Sequence, residues 1–423
     1  MVKVLVISRG PFSSDNNTGN TLINLFSKVE NLEIHNLYFR TEKPGRNPCK
    51  SIFQISEKQI IDAVLKKKPC GKLVEETKTD ENEAKTEENV YAMAKKMNFY
   101  SLWFAREFLW MTGKWKKGNL KKYILDVNPD VIFMPVFGCW YPHKALAFIH
   151  KLTDAKIILF HADDNYTLKQ FHFSPVYWIY RFILRKWVRR SVKISDVNCC
   201  ISDIQKEEYQ KAFGKECLLL QKKGNFDGDA PQKESFNEPL KLVYTGNVSS
   251  GRWESLFLIS KALDKINAEK EVAKLHVYTA SSLTNKMKKA FEGASVVFHG
   301  PVGASEVPAI QDDADILVHA ESFRLKYSLE VRQSFSTKIV DYLAKGRCIL
   351  AIGPAKVASM DYFIKNDGAF VITDKKDVEN RLRALFADNG KIMREYALKA
   401  WTCGEKKHGE SANDIKKILD KIL

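Results

Sequence analysis

The sequence predicts an α/β protein made of two Rossmann-like, doubly wound domains facing each other across a cleft. Three observations point there. The chain has 423 residues, beyond the size at which one hydrophobic core usually divides, so two domains of about 200 residues each are expected. Short apolar runs without polar alternation, such as DVIFMPV (130–136) and KIILFHA (156–162), read as strands buried on both faces, and helical patterns separate them. A polar stretch rich in turn formers, QKKGNFDGDAPQKESFNEPL (221–240), interrupts this pattern, which then begins again.

The first domain, residues 1–222, opens with a strand at Val2–Ser8, a Gly/Asn/Ser loop at Gly10–Gly19, a helix at Asn20–Val29 and a strand at Ile34–Phe39. Residues 75–90, EETKTDENEAKTEENV, are nearly free of large apolar groups and read as a solvated loop or mobile insertion. DVNCCIS (196–202) is a further buried strand, and residues 223–238 are a linker. The second domain, 239–400, reads as strand LKLVYTG (240–246), a helix near 253–266, strand KLHVYTA (274–280), a helix at 283–291 and strand VVFHG (296–300). A short helix at 304–312, strand DILVHA (315–320), a helix within SFSTKIVDYLAKG (334–346), and strands CILAI (348–352) and AFVIT (369–373) follow. A C-terminal helix in 401–423 is expected to pack back toward the first domain.

Composition is ordinary for a globular chain, 45% hydrophobic and 28% charged. The eight cysteines include no CxxC pair and no zinc-like spacing, so buried thiols in a reducing compartment are the plain reading. There is no apolar run long enough to span a bilayer, and the N-terminus lacks the long apolar core of a signal peptide. The expectation is a cytoplasmic protein, with peripheral residence at the inner face of the cytoplasmic membrane as an added option. The formal net charge is +16. Residues 1–230 carry 37 Lys+Arg against 26 Asp+Glu, a net of +11, and the remainder 30 against 25, a net of +5. The excess implies an anionic partner: phosphate, nucleic acid or an acidic membrane surface.

The most informative stretch is SFSTKIVDYLAKGRCILAIGP (334–354). Ser336 or Thr337 is suited to cap a helix, and Gly346 suits the position just past its end, where positive φ is needed. The helix start offers free N–H groups and hydroxyls, a favourable place for phosphate. Lys338 adds charge in the first turn, and Asp341 can accept hydrogen bonds from a diol such as ribose. A capped helix with an i,i+3 surface ion pair explains the same residues.

Context favours the first reading. STKIVDYLAKGRCILAIG resembles the motif of GT-B fold glycosyltransferases of the family 4 type, in which Lys-x-x-Glu-Tyr-Leu-Ala-x-Gly-x-Pro-x-Leu precedes a strand. LVYTGNVSSGRWESL resembles that family's strand–Gly–Arg–(x)4–Lys segment, and VVFHGPVGASEVPAIQDDADILVHAE its Phe-x-Gly-x-Val…Ala-Asp-Ile segment. VLVISRGPFSSDNNTGNTLINLF resembles the opening strand and glycine loop of the acceptor-side domain.

The resemblance implies roles. Asp341 takes the place of the second of two paired glutamates, which binds the ribose. Gln333 takes the place of the first, which faces the donor sugar. In the diphosphate-binding pair Asn247 stands where arginine is usual and Arg252 where lysine is usual. Arg252 and Lys338 would together balance the diphosphate, with Ser336 and Thr337 adding hydroxyl donors. Gly346-Arg347-Cys348 replaces the usual Gly-x-Pro. These departures mark a divergent branch. His161, in HADD (161–164), would reach the donor sugar or the reacting centre, or it is a satisfied histidine at a strand end. Asp163 and Asp164 would bind acceptor hydroxyls or cap the next helix. Gly19 would let the backbone approach the donor phosphates, or simply make a turn. Two DxD triplets, Asp227-Gly228-Asp229 and Asp313-Ala314-Asp315, lie in the linker and at a strand start, and no metal site is expected at either.

Two basic aromatic segments stand out in the first domain, FYSLWFAREFLWMTGKWKKGNLKKY (99–123) and FHFSPVYWIYRFILRKWVRRSVK (171–193). The second has six Lys/Arg and no acid. Trp178, Arg181, Arg185, Trp187 and Arg189 suit either an anionic membrane or acceptor surface, or a helix whose aromatic side packs on the sheet while its arginines face water. No nucleic-acid module is recognisable.

The expected function is therefore transfer of a sugar from a nucleotide diphosphate sugar, held mainly by the second domain, to a hydroxyl acceptor on the first. The acceptor would be a saccharide, a lipid-linked saccharide or a cell-surface polysaccharide precursor. The resemblance implies a retaining, metal-independent reaction with His161, Arg252 and Lys338 at the chemistry and no cofactor beyond the donor. A nucleotide-sugar 2-epimerase of the same fold is the nearest enzyme alternative. A non-catalytic, sugar-nucleotide-binding or membrane-associated scaffold is the alternative outside catalysis.

Overall fold

The structure is a computed structural model, and it describes residues 1–12, 17–26, 29–74, 100–116, 118–409 and 414–423. The acidic segment 75–90 lies outside the described residues. The chain forms two compact units, Met1–Gln221 with Asn413–Leu423, and Lys222–Ala412.

The first unit is built on strands β1 (Val2–Ser8), β2 (Leu32–Tyr38), β3 (Ser51–Gln54), β4 (Lys72–Leu73), β5 (Val131–Pro135), β6 (Lys156–His161), β7 (Val197–Cys200) and β8 (Cys217–Leu219). They form one sheet in the order β4-β3-β2-β1-β5-β6-β7-β8, parallel except for the β3/β4 pair. Its helices are α1 (Asn17–Phe26), α2 (Glu57–Leu65), α3 (Tyr100–Met111), α4 (Asn119–Val127), α5 (Tyr141–Ile149), α6 (Pro175–Ile194) and α7 (Asp203–Phe213). Strands β1, β5 and β6 are apolar on both faces because helices cover both; Val4, Ile7, Ile132, Phe133, Ile157 and Leu159 are all fully buried.

The second unit repeats the plan with β9 (Leu240–Thr245), α8 (Arg252–Ile266), β10 (Ala273–Tyr278), α9 (Asn285–Ala290), β11 (Val296–Gly300), α10 (Val307–Asp313) and β12 (Ile316–Ala320). There follow α11 (Leu325–Glu330), α12 (Lys338–Leu343), β13 (Cys348–Ile352), α13 (Ala358–Asn366), β14 (Phe370–Ile372), α14 (Val378–Phe386) and α15 (Lys391–His408). The sheet order is β11-β10-β9-β12-β13-β14, all parallel. In both sheets the winding reverses beside the first strand, between β1 and β5 and between β9 and β12. In open α/β sheets ligands bind outside the carboxyl ends of the strands at that reversal.

The polar stretch after Gln221 forms no helix or strand up to Leu240, but it is strapped to the second unit. Phe226 is buried against Trp401, ring centroids 5.2 Å apart. Asp315 gathers Lys233 Nζ at 2.6 Å and the backbone N–H of Asn237 and Lys241 at 3.1 and 2.7 Å. Asp313 pairs with Lys241. The second DxD triplet thus spends its carboxylates on holding this stretch. Gly346 has φ +56°, as its place beyond the helix requires, and a Cβ there would meet the Pro231 carbonyl at 2.3 Å. The C-terminal 401–423 segment is not one helix. Its first part ends α15 in the second unit, and α16 (Ile415–Ile422) belongs to the first, where Lys421 approaches Glu216 at 3.4 Å. Seven of the eight cysteines are buried and none is in a disulfide.

Four of the five buried histidines are strongly held neutral. Loss of water pushes His143 and His319 down to about 3, and His161 and His408 down to about 4. In the unfolded chain each would take up a proton near the ordinary 6.5, so stability is full above that value and drains as pH falls from it toward 4. At pH 5.5 each histidine costs about 1 kcal/mol. The melting temperature of both units is expected to fall steadily from pH 7 to 5; a flat profile would contradict the burial of these rings.

Candidate active site at the β9–β12 reversal

At the carboxyl end of β9 the chain runs Thr245-Gly246-Asn247 and turns into α8, whose first residue is Arg252. At the carboxyl end of the neighbouring β12 stand Glu321 and Ser322. The two ends meet through side chains. Arg252 approaches Glu321 edge-on, Nε to Oε2 at 3.1 Å and NH2 to Oε1 at 3.2 Å. Ser255 Oγ, one turn along α8, donates to the Glu321 carbonyl at 2.6 Å. The remaining guanidinium nitrogen, NH1, donates to Asn247 Oδ1 at 3.2 Å on the exposed side.

Lys338 arrives from α12. Its Nζ donates to the Thr245 carbonyl at 2.9 Å and lies against Gly246, where a Cβ would stand 2.8 Å from the ammonium. Gly246 is therefore the residue that allows the close approach. Tyr342, one turn on, is buried and fixes the same loop, its hydroxyl 2.9 Å from Thr245 Oγ1 and accepting from Thr245 N at 3.2 Å. The Tyr244 hydroxyl donates to the Asn247 carbonyl at 2.6 Å. The loop is thus held by Lys338, Tyr342 and Tyr244 side chains.

Two cations, Lys338 and Arg252, meet here with one built-in counter-charge, Glu321. Although the Lys338 side chain is exposed overall, loss of water around its ammonium and the Arg252 guanidinium beside it hold its pKa below the lysine range. Glu321 is buried, and burial pushes its carboxyl above the usual range in spite of Arg252. His319 Nε2 is 3.7 Å from Glu321 Oε1 and 3.0 Å from Ser359 Oγ; at neutral pH it is uncharged. No carboxylate among the described residues lies within ion-pair distance of Lys338. Lys338 of α12, the NH1 edge of Arg252 of α8 and the Asn247 amide stand around one loop, an arrangement that could receive a diphosphate.

No family model matches the chain, and no curated protein matches it in sequence. Solved structures do match. Sucrose-phosphate synthase from Thermosynechococcus elongatus is 12% identical, with 100% of this chain and 98% of that one covered and a TM-score of 0.64. HepE from Anabaena, solved with UDP and glucose, is 11% identical, with 100% and 98% covered and a TM-score of 0.63. TarM of S. aureus, solved with UDP, is 14% identical over 71% of this chain, with a TM-score of 0.51; the match spans only 57% of TarM. The chain has the GT-B fold.

Within this GT-B chain the predicted residues divide. Lys338, Arg252 and Asn247 converge at the β9–β12 reversal. Ser336 and Thr337 lie just before α12, but neither hydroxyl caps it, and the helix has only six residues, so its dipole adds little beside Lys338. Asp341 does not pair with Lys338; it is half-exposed and forms its ion pair with Lys222. Gln333 is fully buried, so its side chain does not present itself to a sugar. Gly19 is buried in the first turn of α1 rather than in a loop.

His161 requires the clearest correction. It ends β6 with no exposed surface, its ring edge-on to Tyr209 at 4.9 Å and its Nε2 3.4 Å from Asn198 Oδ1. Helix α7 covers it, and it packs the core instead of touching a substrate. The membrane residues also need correction. Arg181 is buried, donating to Asp164 Oδ1 at 2.9 Å and to the Thr167 carbonyl at 3.0 Å. Arg185 lies over the Tyr166 ring at 4.2 Å, and Trp178 donates its indole N–H to the His172 carbonyl at 2.9 Å. Trp187 packs partly buried against the core, and of the five only Arg189 is exposed. Asp164 is taken up by this ion pair and by the N–H of Thr167 at 2.8 Å. Glu321 was not anticipated. The sequence signal for it is a carboxylate directly after the buried strand ILVHA.

Proposed function

We propose that the chain is a glycosyltransferase that moves a sugar from a nucleotide diphosphate sugar to a hydroxyl acceptor. The observation that carries this is the convergence of Lys338 and Arg252 on the Gly246–Asn247 loop at the β9–β12 reversal. The solved neighbours of the same fold, two of them holding UDP, support the donor class. The C1–O bond to the β-phosphate breaks, its electron pair leaves on the phosphate oxygen, and the acceptor oxygen bonds C1. Lys338 and the NH1 edge of Arg252 stabilise the charge that builds on the diphosphate. The acceptor proton passes to the departing phosphate oxygen, and the anomeric configuration is retained. The reading takes these cations as sufficient without a metal and without a further cofactor. The acceptor is a saccharide hydroxyl, free or lipid-linked.

A thermal-shift screen against nucleotides and nucleotide sugars tests the reading. One nucleoside diphosphate and its sugar are expected to raise the melting temperature by several degrees at about 100 times the dissociation constant. The sugar nucleotide should also hydrolyse slowly to free nucleoside diphosphate. Stabilisation without hydrolysis would favour the scaffold, and no stabilisation by any nucleotide would remove the proposal.

A further inference from the structure

Helix α6 is the longest helix in the first unit, and no described element covers its outer face. Ser174 caps it, its side chain accepting from Tyr177 N, and Pro175 opens it. The inward face is fixed by Tyr180, Arg181, Leu184, Val188 and Val192, all buried. Opposite them the exposed positions are sorted by kind along the axis. The N-terminal half and the turn before it present Phe173, 87% exposed, Ile179, 55%, and Phe182, 50%. The C-terminal half presents Lys186, Arg189 and Arg190, all exposed, with Arg190 standing over the Trp187 ring at 4.8 Å. No acid interrupts residues 171–193.

We propose that this outer face of α6 docks on an anionic lipid surface, with Phe173, Ile179 and Phe182 entering the headgroup layer and Lys186, Arg189 and Arg190 resting on its charge. The charge pattern selects this occupant. Nucleic acid would be met by exposed cations beside exposed stacking rings, whereas here the exposed rings Phe173 and Phe182 stand with the aliphatic Ile179 in the half whose one cation, Arg181, is buried, and the ring beside the exposed cations, Trp187, is partly buried. A soluble acidic protein would not account for Phe173, left almost wholly in water ahead of the helix. Of the residues predicted from the sequence only Arg189 belongs to this docking set: Arg181, Arg185, Trp178 and Trp187 turn inward or lie on neighbouring groups. The inference rests on the α6 surface alone and does not depend on the transferase reading.

The test is co-sedimentation of the full chain with phosphatidylcholine vesicles, with and without about a third phosphatidylglycerol, at low and physiological salt. Binding is expected only with the anionic lipid and is expected to weaken as salt rises. Ile179→Glu with Phe182→Glu should cut vesicle affinity at least tenfold. Lys186→Glu with Arg189→Glu should cut it similarly and flatten the salt dependence. Neither pair should move the melting temperature or the nucleotide response by much, because all four side chains are exposed and the one hydrogen bond lost is that from Arg189 to the Ala212 carbonyl at 3.4 Å. Equal binding to both vesicle types, no binding to either, or affinity unchanged in both double variants overturns the proposal. A doubling of mass in solution that the same substitutions abolish would assign the face to a second copy of the chain and equally overturn it.

Discussion

Lys338→Ala is expected to weaken nucleoside diphosphate binding about 10- to 150-fold and to lower turnover by at least as much. One charge-assisted hydrogen bond to a phosphate contributes roughly 1.5–3 kcal/mol, and the same charge acts again on the leaving group as it ionises. The apo protein should not suffer. Lys338 already sits where loss of water and Arg252 disfavour its charged form, so removing the ammonium relieves a small cost. The pH dependence follows from the same environment. In the free protein the lysine loses its proton below the ordinary value of about 10.4, and a bound diphosphate holds the proton on. Nucleotide affinity should therefore fade as pH rises through that depressed value, earlier than an unperturbed lysine would allow. Lys338→Arg should shift the fading to higher pH while keeping most of the affinity. Isothermal titration from pH 7 to 10 reads both effects. An affinity unchanged in Lys338→Ala would show that the phosphates bind elsewhere.

Much of the fold was legible because it depends on local pattern. Strands β1, β5, β6, β9 and β12 announce themselves as mainly apolar runs, since a sheet covered on both faces favours apolar side chains on both. That Lys338, Arg252 and Asn247 meet was legible for a related reason: each lies within a few residues of a strand end or helix start that the pattern marks. What failed was non-local. Arg181 turns inward because Asp164, 17 residues earlier, waits for it under α6. His161 is covered by Tyr209 from α7, and nothing near HADD in the sequence tells of that. Gln333 stands in a loop whose burial depends on the surrounding second unit. A polar residue next to a predicted strand gives no sign of whether a distant helix will close over it. Glu321 shows the reverse: its importance comes from Arg252, 69 residues away.

That pair supports a prediction with two signs. Glu321→Gln keeps the shape of the side chain but removes the charge that Arg252 faces. Breaking a buried pair by deleting one partner costs several kcal/mol; Arg252 remains about a fifth exposed, so a loss of about 2–3 kcal/mol is expected. For a unit of this size that is a fall of roughly 5–10 °C in melting temperature. Nucleotide binding should move the other way. Glu321 lies behind the guanidinium whose far edge is proposed to meet the phosphates, and in the wild type it cancels part of that charge. Without it the diphosphate becomes the main counter-ion of Arg252, so affinity should rise several-fold and the ligand-induced shift in melting temperature should exceed the wild-type shift. Arg252→Ala in the Glu321→Gln background should abolish this gain. A merely structural Glu321 would give the loss of stability without the larger ligand shift. If the variant melts lower and responds to nucleotide no more than the wild type, Glu321 does not tune the phosphate site, and Arg252 is a strut between α8 and β12.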